Sequence, residues 1–300
     1  MLNNSRVIPA RLRGVNARSG GAIESLLIEQ NATNDWWAML KPGKRARLGT
    51  QIEFFDRNGQ KNQVYATVIG INDEGHRRLQ FHNTPNILNE LDKLGEPPLP
   101  PYIQRKADFV KDGERYQTVF AKIPGSVAAP TAGLHFSHQL LDKIKKSGIQ
   151  IAYITLHVGP GTFAPVKVEK IEEHKMHYEH FEIPDETAQK IKETKARGGR
   201  ILAVGTTSVR TLESIALKHQ GKIVPVQSKT NLFIYPPYNF KVVDLLLTNF
   251  HLPCSTLLML VSAFADPGGT NGKTLIFKAY NEAIKERYRF YSYGDTMLIL

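Results

Sequence analysis

The stretch "ILAVGTTSVRTLES", residues Ile201–Ser214, decides the fold. Its apolar run from Ile201 to Val204 has the length and bulk of a buried strand, and Gly205 interrupts that run. Apolar residues then recur at helical spacing, which predicts a helix directly after the turn. A buried strand that turns into a helix is the building unit of an α/β fold.

Three hydroxyl residues, Thr206, Thr207 and Ser208, stand where this helix begins, and Arg210 follows within its first turns. The free N–H groups and partial positive charge of a helix N-terminus attract carboxylate or phosphate, and an arginine would add a bidentate clamp. The hydroxyls and Arg210 are therefore candidates for an anion site. In the alternative interpretation Thr207 or Ser208 only caps the helix and Arg210 is solvated.

Strands and helices alternate after Gln117, which predicts a mostly parallel, Rossmann-like α/β sheet with ligands at the carboxyl ends of its strands. Helices are expected from a Ser137 cap to Lys146, from an Asp185 cap to about Arg197, from Ser255, and from Leu275 to about Arg287. Strands are expected in "IQIAYITLHV" and "ILAV", near "NLFIYP", and in "VVDLLLTNF".

The segment from Arg6 to His82 has a different pattern. It predicts six short strands separated by turn residues such as Pro42-Gly43 and Asn58-Gly59. Neighbouring strands of this kind pair antiparallel and predict a small β-barrel. The expected fold class is therefore α/β with a small antiparallel β-barrel domain. We assign residues 6–95 to the barrel domain, and residues 1–5 and 96–300 to the α/β catalytic domain.

Composition narrows the class of protein. The 39 Lys and Arg against 28 Asp and Glu give a net charge of +11, which favours a polyanionic partner such as nucleic acid. A single cysteine, Cys254, excludes an intramolecular disulfide and suits a reducing cytoplasm. No signal peptide is visible, and Asn249, His251 and Pro253 interrupt the uncharged stretch Leu245–Ala265. We expect that stretch to form a strand, a loop and a buried helix, with no membrane span.

Four polar loops would gather at one edge of a parallel sheet: "GSVAAPTAGLHFS", "LHVGPGTFAPV", "VGTTSVRTLES" and "TNFHLPCST". Glycines in them let backbone approach a ligand, and the convergence of polar side chains predicts a binding site. Imidazole titrates near neutral pH, so His135, His157 and His251 are the acid–base candidates, although each could be a structural histidine. The other candidate ligand-binding residues are Thr131, Gly133, Gly159, Gly161, Glu179 and Asn249.

The stretch "HKMHYEHF" spaces His174, His177 and His180 three apart around Glu179, as some metal sites do. We expect a strand here, in which that spacing alternates between faces, so no metal site is predicted and one or two of these residues face substrate or RNA instead. The chain has no G-x-G-x-x-G after a strand and no G-x-x-x-x-G-K-[ST], so the sequence does not support an ordinary dinucleotide fold or a P-loop NTPase.

Taken in chain order, "LNNSRVIPARL", "GSVAAPTAGLHF", "TLHVGPGTFAPV", "HKMHYEHFEI", "AVGTTSVRTLES" and "LLTNFHLPCSTLLMLVSAFA" resemble one family, the S-adenosylmethionine:tRNA ribosyltransferase-isomerases (QueA) of queuosine biosynthesis. The resemblance implies a QueA-like fold, an α/β domain carrying a small β-barrel. It also implies that S-adenosylmethionine donates its ribosyl moiety to 7-aminomethyl-7-deazaguanine at the tRNA wobble position, giving epoxyqueuosine-tRNA, adenine and methionine.

On this resemblance we expect S-adenosyl-L-methionine and tRNA as substrates, no metal, no membrane, a cytoplasmic location and a monomer. The hydroxyls at the helix start and Arg210 would hold the methionine carboxylate or a tRNA phosphate. Members of the family begin some dozens of residues before "LNNSRVIPARL", so the family's N-terminal segment is expected to be missing here. Aromatic candidates for stacking on the target base are Tyr102, Phe136, Phe163 and Tyr235, with core packing as the alternative.

Two other classes of function stay open at this point. The charge of +11 and the expected lack of the N-terminal segment suit an RNA-binding protein without activity. The hydroxyls at the helix start alone would suit an enzyme acting on a phosphorylated sugar.

Overall fold

The computed structural model describes residues 1–100, 103, 109–163 and 166–300, apart from the side chains of 109–111 and 163. The chain forms two compact units. The larger comprises Met1–Ser5, Thr118–Ile123 and Ala129–Leu300, and the smaller comprises Arg6–Gln117 and Pro124–Ala128. The smaller unit thus extends beyond the predicted segment 6–95. One reason is that the Gln117 amide donates to the Val7 carbonyl at 2.7 Å and accepts from the Val7 N–H at 3.0 Å.

The elements in chain order are as follows. The strands are β1 (Leu2–Asn3), β2 (Ser5–Val7), β3 (Arg11–Asn16), β4 (Ala22–Ala32), β5 (Asp35–Lys41), β6 (Gln51–Phe55), β7 (Lys61–Ile71), β8 (Arg77–His82), β9 (Gly95–Glu96), β10 (Ile123–Ser126), β11 (Tyr153–Leu156), β12 (Glu179–Ile183), β13 (Leu202–Val204), β14 (Val226–Thr230), β15 (Leu245–Asn249) and β16 (Thr296–Ile299). The helices are α1 (Leu91–Leu94), α2 (Phe109–Arg115), α3 (His138–Lys146), α4 (Asp185–Ala196), α5 (Thr206–Lys218), α6 (Thr256–Ala265) and α7 (Gly272–Lys285).

The smaller unit is a closed six-stranded barrel. Strands β3, β4, β5, β8, β7 and β6 pair in that order, every pair antiparallel, and β6 returns to β3. Apolar side chains alternate inward along each strand and fill the interior with Trp36, Phe54 and Phe81 among others. Alternation of this kind buries one face of a twisted sheet, and closure removes the free edges that an open sheet would expose. The predicted antiparallel barrel is confirmed.

The larger unit is built on a mixed sheet. Strands β1 and β11 pair in parallel, as do β13 and β15, and hydrogen bonds from Met1 to Leu202 and from Val204 to Met1 join the two pairs. The pairs β11–β12, β12–β14 and β15–β16 are antiparallel. The expectation of a mostly parallel sheet is therefore wrong. A parallel partner needs a crossover, usually a helix, and within the described residues the connection from β11 to β12 contains only 3₁₀ turns.

Capping residues in the sequence predicted where the helices begin with small errors. The hydroxyls of Ser137 and Ser255 accept hydrogen bonds from the N–H groups of Leu140 and Leu258, so both predicted caps are confirmed. Asp185 lies in the first turn of α4 and Pro184 is the cap residue, contrary to the expected Asp185 cap.

The remaining local predictions concern two stretches of the larger unit. The strand expected near "NLFIYP" is β14, which ends at Thr230 immediately before that stretch. Leu245–Ala265 forms β15, a loop and α6 as predicted, and no helix in the described part of the chain is long and apolar enough to cross a membrane.

Candidate functional site

Three of the four polar loops start at the carboxyl ends of neighbouring strands. Strands β11, β13 and β15 run in the same direction and lead into the segments that begin at His157, Gly205 and Phe250. The fourth loop follows β10 and is tied to β15, because the Thr131 hydroxyl donates to Asn249 Oδ1 at 2.7 Å. The structure therefore brings all four loops to one edge of the sheet, as the sequence predicted.

Residues Thr131–His135 form a 3₁₀ turn in this fourth loop. A Cβ on Gly133 would lie 2.8 Å from Thr118 Cγ2 and 2.9 Å from Phe120 Cζ, so only glycine allows this packing. His135 ends the turn with an exposed side chain. Asn249 itself is buried. The turn thus fixes Thr131 rigidly and leaves His135 accessible to solvent.

His251 is held by two contacts just beyond β15. Its Nε2 lies 2.9 Å from Thr248 Oγ1, and its backbone N–H donates to the Tyr280 hydroxyl at 2.8 Å. Burial lowers the pKa of His251 to about 4. The ring is consequently neutral near pH 7 and can accept a proton or hydrogen bond at one nitrogen.

His157 lies at the end of β11, where its N–H donates to the His180 carbonyl at 2.9 Å. Burial, with a smaller contribution from the charge of His180, lowers the pKa of His157 to about 4. Its Nδ1 is buried without a hydrogen-bond partner among the described residues. This ring is therefore also neutral near pH 7, and one of its nitrogens has unused hydrogen-bonding capacity.

Glu179 organises the loop after β11. Its Oε1 accepts from the Gly159 N–H at 3.2 Å and from the Thr162 hydroxyl at 3.0 Å, and its Oε2 accepts from Arg210 Nη2. The side chains of Glu179 and Arg210 are 5% and 3% exposed, which makes this a buried ion pair. One carboxylate therefore joins the β11 loop to helix α5.

The start of α5 excludes the simple capping interpretation. Gly205, at φ +84°, is the N-cap residue, and no side-chain hydrogen bond caps the helix in the part of the chain that is described. Ser208 Oγ instead donates to the Val204 carbonyl at 2.8 Å, while Thr206 and Thr207 are buried. Arg210 is also buried, so its solvated interpretation is wrong as well. Anion binding by this segment stays a prediction.

Unmet hydrogen-bonding capacity concentrates here. Among the described residues, Thr207 Oγ1 and the Nε and Nη1 of Arg210 are buried with no hydrogen-bond partner, as is His157 Nδ1. Buried polar groups without partners cost free energy, so their occurrence together is typical of a ligand site. We call Thr131, His157, Glu179, Thr207, Arg210, Asn249 and His251 the strand-end site.

His174 and His177 precede β12, which begins at Glu179, so the strand expected across "HKMHYEHF" is wrong for these two histidines. His174 packs its ring edge-on against Phe233 at 5.2 Å, and Gly161 packs against His177, since a Cβ there would lie 2.3 Å from His177 Cδ2. No group of three or more His, Cys, Asp or Glu among the described residues could hold a metal ion.

Two of the four aromatic candidates can be placed. Phe136 belongs to an apolar cluster with Leu2 and Leu141, which is the core-packing alternative, and the Tyr235 ring lies 4.8 Å from that of Phe233. Tyr102 and the side chain of Phe163 lie outside the described residues.

One supporting residue was missed from the sequence. Glu213 is fully buried in α5 and accepts hydrogen bonds from the N–H groups of residues 241, 242 and 243 and from the Tyr238 hydroxyl. Burial and the neighbouring carboxylate raise the pKa of Tyr238. The sequence did contain a signal for this role, because Glu213 is a charged residue among the apolar positions of the predicted helix.

The mixed α/β unit has polar loops at the carboxyl ends of its strands, and the second unit is a closed antiparallel barrel. These features define the class of two-unit α/β protein with a candidate site at the strand ends. Within that class the assignment is specific: the chain belongs to the queuosine biosynthesis protein family, whose model matches residues 1–299. The resemblance seen in the sequence is thereby confirmed.

Similar proteins carry one name. The S-adenosylmethionine:tRNA ribosyltransferase-isomerase of Natranaerobius thermophilus is 52% identical over 300 residues, and that of Clostridioides difficile is 51% identical over 299; each match covers 100% of this chain and 83% of the relative. A crystal structure of S-adenosylmethionine tRNA ribosyltransferase from Thermotoga maritima is 39% identical, with 100% of this chain and 81% of that chain covered and a TM-score of 0.45.

Proposed function

We propose that this chain transfers and isomerises the ribosyl moiety of S-adenosylmethionine onto 7-aminomethyl-7-deazaguanine at the tRNA wobble position. The products are epoxyqueuosine-tRNA, adenine and methionine. The observation that carries the proposal is 52% identity over 300 residues with a relative named for this activity. A chemistry of this kind needs a base beside the sulfonium, help for the departing adenine, and fixed charges for the methionine tail.

Arg210 is the proposed partner of the methionine carboxylate. Its Nη2 is taken by Glu179, which orients the guanidinium, while Nε and Nη1 have no partner among the described residues. Nε–H and Nη1–H point to different sides of the guanidinium, so each can donate a separate charge-assisted hydrogen bond, one of them to a carboxylate oxygen. The N–H groups of Thr206 and Thr207 lie in the first turn of α5, where backbone donors lack intrahelical acceptors. Ser208 has both of its donors in use, because its hydroxyl donates to the Val204 carbonyl and its N–H donates to the Gly205 carbonyl, so it is not expected to bind the anion.

His157 and His251 are the proposed groups that accept a proton. Both are neutral near pH 7 because burial lowers each pKa to about 4. His251 has its orientation fixed by Thr248 and Tyr280, whereas His157 has Nδ1 without a partner in the described part of the chain. The exposed His135 is the third candidate, and it would act from the solvent side of its loop.

The hydrogen-bonded pair Thr131 and Asn249 is proposed to position the nucleoside part of the substrate. It joins two loops at 2.7 Å and so fixes the amide group of Asn249 at the sheet edge. Gly161 lets the β11 loop lie close to His177, and the Gly159 N–H ties the same loop to Glu179. Polar groups fixed on rigid elements in this way provide orientation without reorganisation at the moment of reaction.

Adenine release tests this proposal. The protein is incubated with S-adenosylmethionine and a tRNA carrying the 7-deazaguanine precursor, with matched reactions that omit the tRNA or use guanine at the wobble position. We expect adenine only in the first reaction, in an amount equal to the modified nucleoside formed. Tight tRNA binding without adenine would instead indicate an RNA-binding protein, and turnover of the free base without tRNA would indicate a small-molecule enzyme.

A further inference from the structure

The barrel unit carries a cleft outside the strand-end site. Its volume is about 560 Å³, and its lining residues come from the β3–β4 turn and the β5–β6 loop. Arg18, Arg45 and Arg47 are its charged residues, and no acidic residue is among the described residues that line it. Exposed Lys44 lies on the same β5–β6 loop, and exposed Lys41 is the last residue of β5. We call this feature the arginine cleft.

The arginines of the arginine cleft differ from three other arginines of the barrel. Those three are paired with carboxylates: Arg11 with Glu24 at 2.7 Å, Arg13 with Glu96 at 2.6 Å and Arg78 with Asp35 at 2.5 Å. In contrast, Arg18, Arg45 and Arg47 are exposed and have no carboxylate partner among the described residues. Unpaired guanidinium groups gathered in a concave surface attract anions.

The backbone that carries these arginines is fixed. Arg77 donates from Nε to the Ala46 carbonyl at 2.8 Å, from Nη2 to the Gly43 carbonyl at 2.7 Å, and from Nη1 to the Gly75 carbonyl. Asn16 Nδ2 donates to the Arg45 carbonyl at 3.3 Å, which ties the loop to the neighbouring turn. Two of the three Arg77 contacts thus hold the loop that carries Arg45 and Arg47, as expected of a preformed binding surface.

We propose that the arginine cleft binds the phosphate backbone of the tRNA substrate. The inference rests on the proposed function for its substrate class and adds a second contact surface, on the barrel. Guanidinium groups match phosphate oxygens bidentately and read no sequence, so this surface positions the RNA and leaves base recognition to the strand-end site. An anionic membrane fits less well, because Leu48 is the one apolar side chain of appreciable size among the described lining residues.

The test compares two triple variants in the full chain. Arg18→Gln/Arg45→Gln/Arg47→Gln removes the charges of the cleft, and Lys273→Gln/Lys278→Gln/Lys285→Gln removes three charges from the exposed face of α7 as a matched control. Affinity for the precursor tRNA is measured across a salt series, with thermal unfolding to verify folding. Each lost phosphate contact lowers the slope of log affinity against log salt by about 0.7–0.9.

We expect the arginine variant to reduce that slope by about 2–3 and the control by less than 1. The arginine variant should also raise the KM for tRNA while leaving kcat at saturating tRNA unchanged. An unchanged slope, or an equal change in the control, would overturn the inference. The inference would also be overturned if the arginine variant lost binding to phosphatidylserine vesicles and kept its binding to tRNA. If wild-type protein binds tRNA with the expected slope but releases no adenine, the proposed function is wrong and the inference that the arginine cleft binds tRNA remains valid.

Discussion

Replacing Glu179 is the most informative perturbation, because the carboxylate joins the β11 loop to α5 through a buried arginine. Glu179→Ala leaves the Arg210 guanidinium, 3% exposed, without its counter-charge. Removing one partner of a buried pair costs about 3–5 kcal/mol, whereas replacing both partners by neutral groups of similar volume is often close to neutral. Glu179→Ala should cost about that much, as should the matched single variants Glu179→Gln and Arg210→Met, whereas the double variant Glu179→Gln/Arg210→Met should cost only about 1–2 kcal/mol.

The two units allow an internal control for this measurement. Both tryptophans of the chain, Trp36 and Trp37, lie in the barrel, whereas the helices from α3 to α7 lie in the larger unit. Urea unfolding followed by tryptophan fluorescence therefore reports the barrel, and circular dichroism at 222 nm reports mainly the larger unit. We expect the single variants to lower only the second transition, so the two probes should no longer coincide.

The reasoning is refuted if the double variant loses as much stability as the two single variants together. That result would show that Glu179 and Arg210 contribute independently and do not form a pair. The double variant also separates structure from function. It should keep its fold and lose affinity for S-adenosylmethionine, because Arg210 is the proposed carboxylate ligand.

Three further predictions follow from the strand-end site. Thr131→Val removes the hydroxyl that donates to Asn249 and should lower both adenine release and stability, the latter by about 0.5–1.5 kcal/mol, whereas Thr131→Ser should restore both. Stability should fall as pH decreases from about 6.5 to about 4. In this range His157 and His251 take up protons in the unfolded chain but not in the folded protein, where each has a pKa of about 4. The melting temperature of His251→Asn should therefore change less over the same range. Adenine release should be the same with and without EDTA, and loss of turnover that zinc restores would contradict the absence of a metal requirement.

The local features of the fold could be predicted from the sequence, and the pairing of distant strands could not. Turn residues and alternation were sufficient for the six-stranded barrel, and serine caps located α3 and α6 to within a residue. Strand β12 was expected from its β-formers, but its antiparallel pairing with β11 and β14 depends on contacts between segments far apart in the chain. Local propensity carries no information on such pairing.

The candidate site shows the same limit. The chemistry of the loops indicated which residues would gather, but the sequence does not show that Glu179 binds Arg210, since the partners lie on β12 and α5. The lowered pKa values of His157 and His251 arise from burial, which depends on tertiary packing. Ser208 matched the pattern of an N-cap, yet its hydroxyl donates back to Val204, an alternative that serine has within a helix.

The position of β1 has a consequence for synthesis on the ribosome. The strand lies inside the sheet, with β11 on one side and residues of β13 bonded to Met1 on the other, and Asn3 bonds to Leu156 across 153 residues of chain. At about 5–20 residues per second, β1 waits roughly 8–30 s for its neighbour to be translated. The strands of the intervening barrel pair across shorter separations, the longest of which places Asp35 opposite Gln80, so the barrel can close during that interval. Nascent chains should therefore become protease-resistant first between Arg6 and Gln117, while the residues that begin the chain stay open to cleavage.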